Sequence, residues 1–130
     1  MGSADDVEVI RRGFAAFSAG DMPTLNELFT EDAVWHVPGS GPLSGAKRGR
    51  DQILSFFGEL MSRSEGTLTV TLDDVVGGER HTVSMNRNQA TRAGQSLEQV
   101  AVIVFELRDG RVSEARQFFD DTTRNDAFWA

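Results

Sequence analysis

The 130 residues suffice for one domain, residues 1–130, and 39% hydrophobic with 25% charged residues is the balance of a globular chain able to bury a core. A net charge of -7 excludes the basic face that phosphate recognition needs, so no nucleic-acid partner is expected. With no cysteine and no run near the ~18 apolar residues of a membrane span, disulfides, thiolate metal sites, a cysteine nucleophile and a membrane partner are excluded as well.

The opening MGSADDVEV has neither the basic nor the apolar segment of a secretory leader, so a cytoplasmic protein is expected, with residues 1–4 as a flexible terminus. Val7, Ile10, Phe14 and Phe17 then recur at steps of three and four and predict an amphipathic helix. Gly20 stops it, and Asp21 caps a second short helix whose early Pro23 needs no amide donor and whose apolar residues are Leu25, Leu28 and Phe29. Ala33–Val37 predicts a short strand ended by Pro38-Gly39, and Gly39–Gly49 reads as a glycine-rich flap in which Lys47, Arg48 and Arg50 are solvated.

Asp51 opens a third helix carrying Ile53, Phe56, Phe57, Leu60 and Met61, closed by Gly66. The period then changes to two. Leu68, Val70 and Leu72 alternate with threonines, and Val83, Met85 and Arg87 alternate with Thr82, Ser84 and Asn86. Val100–Leu107 is a continuous apolar run, which suggests burial on both faces, and Asp109-Gly110 predicts a tight hairpin into Val112–Phe119. Three helices with one strand among them, followed by a four-strand antiparallel meander, give an α+β domain with helices against a curved sheet.

FSAGDMPTLNELFTEDAVWHVPG, LSGAKRGRDQILSFF, VFELRDGRVSEARQFFDD and the closing DAFW carry a resemblance that covers nearly the whole chain. In these segments the chain resembles the SnoaL-like polyketide cyclases and ketosteroid isomerases of the nuclear transport factor 2-like superfamily. The resemblance implies a cone-shaped, curved mixed sheet wrapped around the N-terminal helices, a deep apolar pocket for a small hydrophobic molecule, a homodimer packed through the outer sheet face, and no cofactor. The isomerase residues do not carry over. Their helix tyrosine falls at about Gly13 in a chain without tyrosine, their strand-one base falls on Val37, and their buried aspartate falls near Val102 and Ile103. The cyclase aspartate, by contrast, matches Asp121 or its neighbour Asp120, and a family histidine matches His36.

Three candidate catalytic residues result. Period two puts Gln117, Phe119 and Asp121 on one face, so Asp121 is expected at a pocket mouth, as acid or base, or else as a turn or capping aspartate. His36 could shuttle a proton, yet Trp35 and Val37 occupy the opposite face, and if that face lines the pocket His36 points out. Arg87 shares a face with Val83 and Met85; were that face inward, the guanidinium could pair with Asp121 or hold an oxyanion. Trp35, Val37, Phe14, Phe17, Phe57, Met85, Gln99, Phe105, Gln117 and Phe119 are the candidate ligand-binding residues. Two isolated histidines and no cysteine give no metal spacing. Two activities fit: acid–base chemistry on a hydrophobic oxygenated molecule (cyclisation, isomerisation or epoxide opening), or non-catalytic ligand binding or dimerisation on the same fold.

Overall fold

Helical spacing puts Ile10 in the core and packs Val7, Phe14 and Phe17 against it from α1 (Ser3–Ala19) in the computed structural model, which describes residues 3–130. Ser3 and Ala4 thus already belong to a helix, while Met1 and Gly2 of the expected flexible terminus lie outside the described residues. Gly20 takes φ 68° and its amide bonds back to Phe17 O, ending α1 in the left-handed conformation a glycine adopts without strain. Asp21 accepts from Thr24 N at 3.2 Å and caps α2 (Met22–Leu28).

Strand β1 (Phe29–Val37) follows α2 directly and is longer than the pattern suggested, since its polar start, Thr30-Glu31-Asp32, hides it. The expected flap contains a strand, β2 (Gly45–Arg48), which pairs antiparallel with β1 from Val34↔Arg48 to Val37↔Gly45. Helix α3 (Arg50–Arg63) buries Ile53, Phe56 and Phe57, but leaves Met61 exposed. The meander is β3 (Thr69–Gly77), β4 (Thr82–Arg92), β5 (Gln95–Arg108) and β6 (Arg111–Phe119). Asp109 and Gly110, both at positive φ, make the tight β5–β6 turn. A fourth helix, α4 (Thr122–Trp129), closes the described chain and had no counterpart among the predicted elements.

The six strands form one curved sheet in the order β2-β1-β6-β5-β4-β3, antiparallel except for the parallel β1–β6 pair. Helices α1 and α3 cover its concave face, and the core lies between. On β4 the inward face carries Thr82, Ser84, Asn86, Asn88 and Ala90, all buried, while Met85 is 46% exposed. This reverses the expected Val/Met orientation. Cross-strand partners share a face, and Ser84↔Ile103, Asn86↔Ala101, Asn88↔Gln99 and Ala90↔Leu97 tie β4 to the buried side of β5. The opposite face carries Arg87 and Glu98, whose charges cost more to bury than neutral amides. Val100 is 37% exposed on that outer face, so the apolar run of β5 is buried on one side only.

Candidate functional site

Between α1, α3 and the concave sheet face lies a cavity of about 110 Å³, counted as the space open to the centre of a water molecule. That is room for several waters or part of a small organic ligand, since one water needs roughly 10–15 Å³ by the same measure. Its apolar wall is an aromatic box around Trp35. The indole meets Phe57 edge-on at 5.3 Å and Phe105 at 5.9 Å, and Phe17 meets Phe57 at 5.4 Å. On α1 the wall includes Gly13, where an added Cβ would reach only ordinary contact with Leu28 Cδ1 at 3.8 Å. A methyl group thus fits at this position without displacing a neighbour.

The polar side of the cavity consists of carboxamides: Asn86 and Asn88 from β4, Gln99 from β5, Gln117 from β6 and Asn125 from α4. They are linked in an ordered way. Trp129 Nε1 donates to Asn125 Oδ1 at 3.1 Å, and Gln99 Nε2 donates to the same oxygen at 2.9 Å. Trp35 Nε1 donates to Gln117 Oε1 at 3.1 Å, and Asn86 Nδ2 donates to Asn88 Oδ1 at 2.7 Å. Two acceptors remain: Asn86 Oδ1 and Gln99 Oε1 are buried without a hydrogen-bond partner. No acidic, basic or imidazole side chain lines the cavity among the described residues.

Seven of the ten expected ligand-binding residues stand on this wall: Phe14, Phe17, Trp35, Phe57, Gln99, Phe105 and Gln117. Val37 is buried in the core and Phe119 packs against it, both off the cavity. Met85 is on the opposite side of the sheet, carried there by the orientation of β4.

The three expected catalytic residues do not meet. Asp121 is exposed and caps α4, its Oδ1 accepting from Arg124 N at 2.9 Å, the capping alternative rather than a pocket mouth. Its neighbour Asp120 faces Arg124 NH2 at 3.3 Å. Arg87 makes a bidentate pair on the outer face with Asp73, not with Asp121, at 2.9 and 3.0 Å. Asp73 stands at a bulge between Leu72 and Asp74, and the guanidinium holds its carboxyl below the usual aspartate range. His36 points away from Trp35 and Val37, as their shared face implied, and bonds Glu114 through Nε2 at 2.8 Å. That bond, with Arg116 nearby, keeps Glu114 below the ordinary glutamate range against partial desolvation. Lys47 is not simply solvated: its ammonium lies 5.3 Å from the Phe56 ring centre, and burial lowers its pKa.

Among the cavity residues outside the expected ligand-binding set, Asn86, Asn88, Asn125 and Trp129 are the ones that carry polar side-chain groups. Asn125, Phe128 and Trp129 are spaced i, i+3 and i+4 after a capping Asp121, a legible though short helix signal.

A SnoaL-like domain model matches residues 10–115. An uncharacterized protein of Mycobacterium tuberculosis is 35% identical over 126 residues, 96% of each chain. The solved structure of Bal32a, from a soil-derived mobile gene cassette, is 39% identical over 98% of both chains with a TM-score of 0.96. That of IdmH, a putative polyketide cyclase from Streptomyces antibioticus, is 25% identical over 94% of this chain and 97% of its own, with a TM-score of 0.76. Other structures with this fold are described as cystatin-like and nuclear transport factor 2-like. By its matched domain, its relatives and its mixed α+β sheet, the chain belongs to the SnoaL-like family.

Proposed function

We propose that the protein binds a neutral, largely apolar small molecule in the interior cavity, held by the aromatic box and oriented by the carboxamides. One observation carries this reading: the cavity is lined by aromatic, aliphatic and neutral amide groups, and no titratable side chain reaches it among the described residues. Acid–base chemistry by Asp121, His36 and Arg87 would need those groups at the ligand. They occupy a helix cap and the outer sheet face instead. IdmH, a putative polyketide cyclase with the same fold, supports a second reading in which the box folds a flexible ligand for cyclisation. In that case shape and neutral hydrogen bonds would do what a protein carboxylate does elsewhere.

Titration with an apolar naphthalene-type probe, read by two-dimensional NMR, tests the binding reading. Saturable shifts at Gly13, Phe105 and Gln117 are expected. Filling the cavity with Gly13→Leu should weaken binding at least about tenfold, because the added side chain occupies ligand space. Unchanged affinity in a folded Gly13→Leu protein would reject the cavity as the site.

We also infer that the outer sheet face pairs with a second copy. The exposed Val76, Met85, Val100 and Phe118 support this, together with Val83, Val102 and Val104 between them.

A further inference from the structure

Indole N–H groups donate and never accept. Trp129 Nε1 therefore decides which end of the Asn125 amide faces it: the oxygen must, at 3.1 Å. With that oxygen fixed as an acceptor, Gln99 can approach it only through its NH2, at 2.9 Å. The orientation of Gln99 is thus set by the donor-only indole of Trp129, two hydrogen bonds away. Its own Oε1 is left buried without a partner on a side chain only 3% exposed that lines the cavity. Asn86, 2% exposed and on the neighbouring strand, adds a second unpartnered acceptor, because its NH2 is engaged by Asn88. On the adjacent strand β6, Gln117 is held by Trp35 as Asn125 is by Trp129: the indole takes the oxygen and the NH2 is turned away from it.

A buried carbonyl oxygen without a donor has lost its hydration and gained nothing in return, so these atoms favour whatever can donate to them. We infer that the cavity selects neutral ligands carrying a hydroxyl or N–H group on an apolar frame, with the Gln99 and Asn86 oxygens accepting from that donor. This rests on the proposed binding function and narrows its ligand class. A carbonyl elsewhere on the ligand is matched by the Gln117 NH2. A carboxylate is disfavoured twice: it repels the two oxygens, and no cation lines the cavity among the described residues.

Four probes on one skeleton test it: 2-naphthol, 2-methoxynaphthalene, naphthalene and 2-naphthoate, titrated into the unaltered protein by NMR. 2-Naphthol should bind at least about tenfold more tightly than the methoxy compound, which can accept but not donate, and naphthoate most weakly. Gln99→Met should erase the naphthol preference while naphthalene still binds. Trp129→Phe frees the Asn125 and Gln99 amides to turn over, so it should shrink the preference without closing the cavity. Equal affinity for naphthol and methoxynaphthalene would mean that water satisfies Gln99 Oε1, and would overturn the inference while leaving the binding function standing. Tightest binding of naphthoate would overturn it too. If none of the four binds, the binding function falls and the inference with it.

Discussion

The carboxylate of Asp121 is committed to the backbone of α4, where it accepts from Arg124 N. Such a cap needs an oxygen but no charge, so Asp and Asn serve equally, whereas a general acid or base requires the titrating group. Asp121→Asn should leave both stability and ligand affinity unchanged, while Asp121→Ala should cost about 1 kcal/mol in urea unfolding. A loss of activity or affinity in the Asn variant at unchanged stability would restore the catalytic role. Single residues were legible in the sequence where period two applied to a buried strand: Trp35 and Val37 inward put His36 outward, on Glu114. The role of Asp121 was not legible, because a family position fixes where a residue stands and not which neighbour claims its oxygens.

At the scale of elements, helices α1 to α3 and the meander followed from apolar spacing, since large side chains at helical or alternating steps have few ways to be buried; the short α4 did not. Strand β4 did not, because its better-looking apolar face is the exposed one. The deciding signal lay on the next strand. Glu98 shares parity with Val100 and Val102, and pairing carries that outward face across to Met85 and Arg87. Short elements were lost for a similar reason: β2 has four residues and charged side chains, so it is an edge strand specified by pairing rather than by pattern. The loop between β1 and β2 is held by α4. Asp126 Oδ2 accepts from Ser40 N at 2.9 Å, and Gly39, at φ 94°, has Asp126 Oδ1 within clashing distance of where a Cβ would sit. Gly39→Ala should therefore cost about 1–3 kcal/mol, from the positive φ and the clash together. Adding Asp126→Ala removes the clash, so the double variant should lose less stability than the two single losses added. Strict additivity in urea unfolding would show that loop and helix do not press on one another.

For the whole molecule, a net charge of -7 opposes self-association, so any pairing must rest on apolar area. The outer sheet face offers it: Met85, Val102 and Phe118 lie side by side across three strands, and Phe118 is 51% exposed. Light scattering should find a dimer for the unaltered protein and a folded monomer for Phe118→Glu, with naphthol binding retained because the cavity is on the opposite sheet face. A monomeric unaltered protein would remove this pairing. The cavity itself divides between two parts of the chain. Its walls come largely from α1, α2, α3 and the sheet, but Asn125 and Trp129, which orient Gln99, belong to α4. A change confined to that last helix should therefore alter what the pocket accepts while the aromatic box around Trp35 stands, so that size and chemical preference can vary independently in this fold.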